Sequence, residues 1–304
     1  MRVAVIGSSG QLGFDLMNAL PAAGHQAVGF TGRAQLDIND ATAVERMLEA
    51  YGPDAVINTA AFHNVDLCEK ETAAAYATNV VAVRTLAAQC EKRGVPFVQV
   101  GTDYVVEGAP DNRPVSESAA VAPRSIYALT RFGGDCMTLA HAPRVGYVLR
   151  SCGLFGVAGC KLKGGLNFVD TMIAAAKAGK PLRVVNDQIV APTPTDDLSQ
   201  QLIKILERRP APGLYHAVSH GQCSWFEFAR EALKLSGIPH DIQGVPSAAY
   251  AAPARRPAYS VLDNAKLRAL GMDIMGPWQE SLQRYVRNKY PAVAMAEEQT
   301  GKEQ

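Results

Sequence analysis

Three residues have the side chains that proton transfer at a carbonyl group requires. Thr102 follows an apolar run, Tyr127 stands at the predicted start of a helix, and Arg131 follows four residues later. A threonine hydroxyl can hold a carbonyl oxygen, a tyrosine can give or take a proton, and a nearby cation lowers the tyrosine pKa from about 10. Residues at i and i+4 share one helix face, so the spacing favours a catalytic pair. A tyrosine at a helix start can also serve packing alone, and the spacing leaves both interpretations open.

A glycine-rich segment follows the first apolar run, with the spacing G-x-x-G-x-x-G. It lies between a predicted strand, Val3–Ile6, and a predicted helix, Gln11–Leu20. Glycines let the backbone turn tightly and approach a pyrophosphate, which the helix N-terminus stabilises. This context predicts a dinucleotide site and distinguishes the motif from a simple glycine turn. The predicted binding residues are Gly7, Gly10, Gln11, Leu12 and Gly13.

The end of the second predicted strand indicates which dinucleotide binds. An NAD-type site usually carries an acid there, but this chain reads Gly29-Phe30-Thr31-Gly32-Arg33. An arginine at this point can accommodate a 2′-phosphate, so Arg33 favours NADPH, with NADH as the alternative. Arg33 could also be a solvated loop residue. Asp37 follows closely and could face the adenine.

The first half of the chain alternates short apolar runs with helical patterns, which predicts a parallel sheet covered on both faces. The fold class is therefore α/β: a Rossmann-type, doubly wound parallel sheet with a smaller, irregular α/β substrate lobe. The predicted strands are Val3–Ile6, Gln26–Phe30, Ala55–Asn58, Pro96–Val100 and Gly146–Arg150. The predicted helices are Gln11–Leu20, Ala41–Tyr51, Thr72–Lys92 and Ser125–Ala140.

The second half is less regular, with a glycine-rich loop, Gly153–Gly165, and a capping box from Ser224 to Glu227. The other predicted elements are a helix at Asn167–Ala178, a strand near Leu182–Val185, a helix at Thr195–Arg208 and a strand at Gly213–Ala217. We predict an NADP-binding Rossmann domain in residues 1–152, with returns near 182–219. Residues 153–181 and 220–293 form the predicted substrate-binding lobe, and 294–304 a disordered tail.

Composition excludes several classes of partner. Lys+Arg is 30 and Asp+Glu is 29, a net charge of +1, which argues against binding the phosphate backbone of a nucleic acid. The chain shows neither a signal peptide nor an apolar run of membrane-spanning length, so we expect a cytoplasmic protein without a membrane partner. The 6 cysteines have no disulfide or metal-ligand spacing, which predicts free thiols and no metal site.

Motifs along nearly the whole chain resemble the dTDP-4-dehydrorhamnose reductase family, the sugar-nucleotide reductase branch of the extended short-chain dehydrogenases. Besides the glycine segment, they are Asn58-Thr59-Ala60-Ala61-Phe62 with Val65-Asp66 and Glu69, Thr102-Asp103-Tyr104-Val105, Pro123 with Tyr127 and Thr130, Asn167-Phe168-Val169, Asp187-Gln188 with Pro192-Thr193, Tyr215-His216, Ser224-Trp225, Phe228-Ala229, and Arg256-Pro257 with Tyr259-Ser260 and Leu262-Asp263. These pieces occur in the family's order.

The resemblance implies roles for particular residues. Thr102 and Tyr127 take the family's catalytic positions, and Arg131 stands beside them, where a cation holds the nicotinamide ribose. Ala60, Ala61, Tyr127 and Arg131 line the cofactor. The residues implied on the substrate side are Asp103, Gly153, Asn167, Gln188 and Arg256. Two of the motif residues have a second interpretation: Asn167 could cap its helix, and Trp225 could be a core residue as well as a stacking platform.

The chain departs from the family pattern at two points. Arg131 replaces the family's catalytic lysine, and its planar fork is not equivalent to a compact ammonium. Gly153 stands where the rhamnose-forming enzymes carry a tryptophan, which predicts extra room beside the sugar. In the loop that follows, Lys161 and Lys163 could meet a diphosphate or remain solvated.

We therefore predict an NADPH-dependent reductase of a nucleotide-linked 4-keto-6-deoxy sugar, with a homodimer as an open alternative to a monomer. A second hypothesis is an NADP- or sugar-nucleotide-binding regulatory protein with little or no catalysis, which Arg131 and Gly153 favour. A related epimerase or dehydratase ranks last, because the sequence offers no spare acid–base pair beyond the tyrosine.

Overall fold

The computed structural model describes residues 1–107, 113–160 and 164–290. Its strands are β1 (Arg2–Ile6), β2 (Gln26–Phe30), β3 (Ala55–Asn58), β4 (Phe97–Thr102), β5 (Gly146–Ser151), β6 (Leu182–Val185), β7 (Ile189–Val190), β8 (Gly213–His216), β9 (Cys223–Ser224) and β10 (Ile242–Val245). Six of them form one parallel sheet in the order β2-β1-β3-β4-β5-β8. The order reverses between β1 and β3, and ligands of such sheets bind beyond the carboxyl ends of the strands at that point.

Helices cover both faces of this sheet. They are α1 (Gln11–Ala22), α2 (Gly32–Gln35), α3 (Ala41–Tyr51), α4 (Val65–Lys70), α5 (Thr72–Tyr76), α6 (Ala82–Arg93), α7 (Ile126–His141), α8 (Phe168–Lys177), α9 (Thr195–Arg208), α10 (Trp225–Leu235), α11 (Ala265–Ala269) and α12 (Trp278–Lys289). Successive β1 residues point to opposite faces: Val3 and Val5 pack with α1 and α9, whereas Ala4 and Ile6 pack with α3 and α6. The Rossmann-type α/β fold class is confirmed.

A π-helical segment, Ala77–Val81, interrupts the long helix that the sequence predicts between residues 72 and 92. Buried Asn79 lies in this segment and is hydrogen-bonded both to the loop after β3 and to α7. Segments of this kind are frequent at functional sites. The helical character was predicted correctly, and the local change of register was not.

The predicted return of the chain to the Rossmann unit near residues 182–219 begins later than expected. β6 pairs with β10 in a separate two-stranded parallel sheet, so the strand near residue 182 is not part of the central sheet. Helix α9 and strand β8 do return to it. The other domain boundaries remain predictions. The predicted disordered tail, residues 294–304, lies outside the described part of the chain.

A separate apolar core joins α8, α10 and α12. The sequence indicates α8 and α10, but it does not indicate α12. The rings of Phe155, Phe228 and Trp278 meet in this core, with centroids 5.3 Å apart for the first pair and 5.7 Å for Phe228 and Trp278. At its edge the Asp170 carboxylate accepts hydrogen bonds from the Tyr285 and Tyr290 hydroxyls, both at 2.7 Å. The end of the chain's last described helix is therefore fastened to α8.

A buried ion pair joins α7 to the central sheet. Arg150 Nε of β5 lies 2.8 Å from Asp135 Oδ2, and the two side chains are 4% and 2% exposed. A buried charge that loses its partner is strongly destabilising, whereas replacing both partners by apolar side chains is often tolerated.

We expect Asp135→Ala to lower the free energy of unfolding by about 3–5 kcal/mol, because it leaves the Arg150 guanidinium buried without its counter-ion. The double variant Asp135→Leu/Arg150→Met should lose much less. Urea unfolding followed by circular dichroism measures both. If Asp135→Ala unfolds with the same free energy as the native protein, the ion pair does not stabilise the attachment of α7 to the sheet.

Candidate active site

The glycine loop joins β1 to α1 and leaves one glycine facing solvent. Gly7 has φ +82°, and a Cβ there would lie 2.6 Å from Thr59 Oγ1. A Cβ on Gly13 would overlap the Gly7 carbonyl oxygen, so the fold itself requires both glycines. Gly10 is exposed, and the nearest atom to its Cβ position is the Gly7 oxygen at 3.3 Å. The open face of the loop is therefore at Gly10.

A cavity of about 160 Å³ opens beside this loop, at the carboxyl ends of β1, β2 and β3. It brings together residues that the sequence predicts to bind the cofactor: Gly7, Arg33, Asp37, Ala60 and Ala61. The Asp37 carboxylate accepts a hydrogen bond from the Asn39 amide at 3.0 Å, and this bond, with a contribution from Arg33, lowers the pKa of Asp37. Asp37 is therefore ionised within the cavity wall.

Three residues at the start of α1 and the end of β2 differ in what they offer a ligand. The Leu12 side chain is buried in the core, so only its backbone can face a phosphate. Gln11 Oε1 and Thr31 Oγ1 are both buried without a hydrogen-bond partner in the described structure. Buried polar atoms of this kind are rare and call for a partner. Thr31 was not predicted, and its place at the end of β2 is the only signal for it in the sequence.

Thr102, Tyr127 and Arg131 meet at the carboxyl end of the sheet, as the sequence predicts. Thr102 ends β4, and its hydroxyl lies close enough to the phenol of Tyr127, in the first turn of α7, to influence the pKa of that phenol. Burial raises the pKa of Tyr127, while Arg131 and the Thr102 hydroxyl act in the opposite direction. The net shift is upward, so this arrangement holds Tyr127 as a protonated phenol, ready to donate to an oxygen.

Arg131 is 6% exposed, and its side chain turns towards the sheet. Its Nη2 donates a hydrogen bond to the backbone carbonyl of Val100 in β4. The guanidinium charge remains close enough to Tyr127 to lower its pKa. Arg131 thus supplies a positive field from a fixed place.

Three contacts fix the start of α7 and therefore the position of Tyr127. The Ser125 hydroxyl caps the helix by accepting from the Ala128 amide at 3.2 Å. Glu69 Oε1 accepts from the Ile126 amide at 2.9 Å. Asn79 Nδ2 donates to Thr130 Oγ1 at 3.0 Å. Glu69 belongs to a motif of the sequence, whereas nothing in the local pattern indicated Asn79.

Asp103, expected on the substrate side, is 3% exposed and turned into the protein. Thr102 Oγ1 lies 3.2 Å from its Oδ1, while Cys152 Sγ and Ser260 Oγ lie 3.1 Å and 2.6 Å from its Oδ2. Desolvation raises the pKa of the carboxyl group. The expectation of direct substrate contact is wrong for the side chain in this conformation, because protein donors surround both oxygens.

Asn167 is likewise used by the fold. It caps α8 in a reciprocal capping box with Asp170, and it is 2% exposed. Its Nδ2 donates to the Gly156 carbonyl at 3.0 Å and to the Tyr285 hydroxyl at 2.6 Å. The capping interpretation is correct, and the side chain has no remaining group for a substrate.

Gly153 does not leave the extra room that the sequence suggested. Its φ is +53°, and a Cβ there would lie 3.2 Å from Trp225 Cη2 and 3.3 Å from Pro192 Cα. The Trp225 ring is half-buried and packs on Phe168, with centroids 4.7 Å apart. An aromatic side chain from α10 therefore already fills the place beside residue 153.

Arg256 reaches the catalytic neighbourhood through Tyr104. The Arg256 guanidinium lies close enough to the Tyr104 phenol to influence the pKa of both groups, and its Nη2 lies 2.9 Å from Asp66 Oδ2. The Tyr104 ring meets the Tyr127 ring edge to face, with centroids 5.3 Å apart. Gln188, also expected near the substrate, is 9% exposed just before β7. Lys161 and Lys163 lie outside the described residues.

Two further findings concern metals and membranes. Among residues 1–107, 113–160 and 164–290, no three His, Cys, Asp or Glu side chains are grouped so that they could hold a metal ion. No helix in these ranges is both long and apolar enough to cross a bilayer.

Comparison with known proteins places this geometry in a family. Residues 1–290 match the family described as RmlD substrate binding domain. A dTDP-4-dehydrorhamnose reductase of Streptomyces griseus is 36% identical over 286 residues, covering 92% of this chain and 91% of that protein. The crystal structure of a dTDP-4-dehydrorhamnose reductase of Clostridium acetobutylicum is 34% identical, with a TM-score of 0.88 over 94% of this chain and 98% of that one.

A third relative was solved with a cofactor. The dTDP-4-dehydrorhamnose reductase of Bacillus anthracis, in complex with NADP, is 31% identical, with a TM-score of 0.88 over 94% of this chain and 99% of that one. The family match over residues 1–290 includes the glycine loop, the three residues Thr102, Tyr127 and Arg131, and the separate apolar core. This chain belongs to the RmlD substrate binding domain family, within the extended short-chain dehydrogenases.

Proposed function

We propose that the protein is an NADPH-dependent reductase of a nucleotide-linked 4-keto-6-deoxy sugar. The observation that carries this proposal is the close approach of the Thr102 hydroxyl and the Arg131 guanidinium to the Tyr127 phenol, at the same sheet edge as the glycine loop. The names of the relatives support the substrate class, and the NADP in the Bacillus anthracis structure supports the cofactor. A screen of nucleotide-linked keto sugars for NADPH oxidation tests the proposal directly.

The residues present fit a dinucleotide. Gly10 has an open face, Gln11 Oε1 has no hydrogen-bond partner among the described residues, and the cavity lined by Arg33 and Ala60 lies beside the loop. The amides at the start of α1 would hold the pyrophosphate, as helix N-termini do. Arg33, at the exposed rim, would meet a 2′-phosphate.

The geometry supports the following catalytic roles. A bound reduced nicotinamide supplies the hydride that the carbonyl carbon accepts. Tyr127 gives its phenolic proton to the carbonyl oxygen, and the Thr102 hydroxyl donates a hydrogen bond to the same oxygen. Arg131 stabilises the negative charge that develops on the Tyr127 oxygen, and Tyr127 returns to its protonated state before the next cycle.

The substrate would lie between the sheet edge and the lobe that carries α8, α10 and α12. We place Arg256 and Gln188 on its walls, with Trp225 as the aromatic surface beside Gly153. Asp103 and Asn167 support these walls from behind. The proposed lobe comprises residues 153–181 and 220–293, together with β6, which pairs with β10.

A regulatory, non-catalytic role is the second candidate. It is favoured by the bond from Arg131 to the Val100 carbonyl, which holds the guanidinium inside the protein. Such a protein would still bind NADPH. Loss of turnover in Tyr127→Phe separates the two functions, because only a reductase needs the phenolic proton.

We further propose a homodimer in a reducing, cytoplasmic compartment. Three large apolar side chains on neighbouring helical segments are exposed, Tyr76, Val81 and Leu129 at 41%, 57% and 40%, and a second copy of the chain would cover them. All 6 cysteines are free thiols, which fits such a compartment. A sedimentation mass equal to one chain would rule out the dimer.

We expect Gly10→Val to abolish NADPH binding while the melting temperature stays near that of the native protein, because the new side chain projects into the open face of the loop. Gly13→Val, the matched control, should destabilise the fold, since its Cβ overlaps the Gly7 carbonyl. Calorimetric titration and thermal unfolding give the two readouts. Native NADPH affinity in Gly10→Val would place the cofactor elsewhere.

Removing the positive charge at the cavity rim should change the cofactor preference. Arg33→Gln is expected to weaken NADPH binding roughly tenfold, the loss of one charge-assisted hydrogen bond, with NADH affinity unchanged. Arg46→Gln, an exposed arginine of α3, serves as control. Titration calorimetry with both cofactors measures the ratio. Equal or tighter NADH binding by the native protein contradicts the assignment of Arg33.

Arg131, which stands in place of the family's lysine, should reduce kcat more than it reduces the affinity for the cofactor. We expect Arg131→Lys to raise kcat, since an ammonium reaches ribose hydroxyls as a compact donor, and an error of about 1 Å in a catalytic group costs roughly 10²-fold. Cofactor affinity should change less. Steady-state kinetics and calorimetry compare the two. A slower Arg131→Lys enzyme would identify the arginine as an adapted catalytic residue.

A further inference from the structure

The short helix α4 carries two acids that bond to different parts of the site. Asp66 and Glu69 are three residues apart, a spacing that places both on one face of the helix. Glu69 Oε1 accepts from the Ile126 amide at 2.9 Å, at the start of the helix that carries Tyr127. Asp66 instead bonds to the loop that carries Arg256. One turn of α4 therefore contacts both the catalytic helix and the proposed substrate wall.

Asp66 uses both carboxylate oxygens on this loop. Its Oδ2 lies 2.9 Å from Arg256 Nη2, and its Oδ1 accepts from the Ala254 amide at 3.2 Å. Arg256 Nη1 in turn donates to the Ala254 carbonyl at 3.1 Å. These three bonds join acid, backbone and guanidinium, so they fix the direction of the guanidinium. A guanidinium has five N–H donors and these bonds use two of them, so further donors can reach a ligand.

A second acid connects the same two segments. Glu107 forms an ion pair with Arg124, which immediately precedes the cap of α7, and its Oε1 lies 3.7 Å from Arg255 Nη2. The start of α7 and the loop 254–256 are thus connected twice, once through α4 and once through Glu107. Both connections act to keep the loop at a set distance from the catalytic helix.

The exposure of the Asp66–Arg256 pair indicates that it orients a side chain more than it stabilises the fold. The two side chains are 40% and 26% exposed, and ion pairs this accessible contribute little to stability because water and salt screen them. Orientation matters more, because Arg256 lies beside Tyr104, whose ring meets the Tyr127 ring with centroids 5.3 Å apart. A displacement of about 1 Å in a group that holds the substrate is costly even when the fold is intact.

We propose that Asp66 is a positioning residue, which directs the Arg256 guanidinium onto the sugar nucleotide from the same helical turn that fixes the start of α7. This inference rests on the proposed reductase function and adds to it a residue that acts through Arg256. Helix α4 then sets the distance between the group that holds the sugar and the group that protonates it. Asp66 acts on substrate binding, and Glu69 acts on proton transfer by Tyr127.

Steady-state kinetics separate the two acids. Asp66→Asn keeps an oxygen for the Ala254 amide but turns an NH2 group towards the guanidinium, so it removes the ion pair alone. The KM for the sugar nucleotide should rise roughly tenfold, the loss of one charge-assisted hydrogen bond, while kcat stays within about twofold of native. Glu69→Ala should lower kcat at a nearly native KM. Glu71→Gln, an exposed acid directly after α4, should change neither constant.

The same kinetics can contradict the proposal. A native KM in Asp66→Asn would show that the acid does not direct Arg256. A fall in kcat as large as the rise in KM would show a general loosening of the site, which a purely structural role of α4 would produce.

A double-variant cycle tests whether Asp66 acts through Arg256. Once Arg256→Gln has removed the guanidinium, loss of the acid should have no further effect. The KM of Asp66→Asn/Arg256→Gln should therefore equal that of Arg256→Gln alone. If the two single effects multiply in the double variant, Asp66 acts by another route and the proposal is wrong.

Limited proteolysis tests the attachment of the loop without any turnover. Trypsin cleaves after Arg255, and cleavage requires the loop to leave its place. Asp66→Asn should be cut there roughly tenfold faster than the native protein at an unchanged melting temperature, and Glu71→Gln should be cut at the native rate. A native cutting rate in Asp66→Asn refutes the attachment. If the native protein reduces no nucleotide-linked sugar, the reductase function fails, and the tryptic rates still decide whether Asp66 holds the loop.

Discussion

The site depends on one buried helix face. Tyr127, Arg131 and Asp135 follow one another at four-residue intervals along α7, and the last two are buried against the sheet. The ion pair of Asp135 with Arg150 holds this face in place, and the hydrogen bonds that Ser125 and Glu69 accept from backbone amides fix its first turn. A shift of α7 would move the phenol, the cation and the counter-ion together.

This constraint explains how an arginine can stand beside the catalytic tyrosine. The guanidinium lies under Tyr127, fixed by the Val100 carbonyl, with a carboxylate one turn further along the helix. It contributes a positive field without the mobility of a lysine stem.

The parts of the site that the sequence predicted are those in which neighbouring residues act together. The glycine loop and the pair Tyr127–Arg131 have spacings that require a turn or a helix face, and both are found where they were expected. The resemblance to a family placed Thr102 beside them. Cavity residues from the ends of three strands also meet as predicted, because parallel strands end at the same edge.

The features that the sequence did not predict depend on contacts between residues that are far apart in the chain. The partners of Asp103 come from residues 152 and 260, and β6 finds β10 far along the chain. Trp225 fills the place beside Gly153 from another helix, and a change of helical register turns Asn79 towards Thr130. Each depends on how separate elements pack together, which periodicity and spacing do not specify.

Transfer of a labelled hydride tests the central claim most directly. The protein would be incubated with NADPH carrying deuterium on the transferable position of the nicotinamide and with a panel of nucleotide-linked 4-keto-6-deoxy sugars. Mass spectrometry and NMR of the product should show one deuterium at the former keto carbon with the native protein and none with Tyr127→Phe. A sugar that remains unlabelled across the panel, or equal labelling by Tyr127→Phe, would contradict the account.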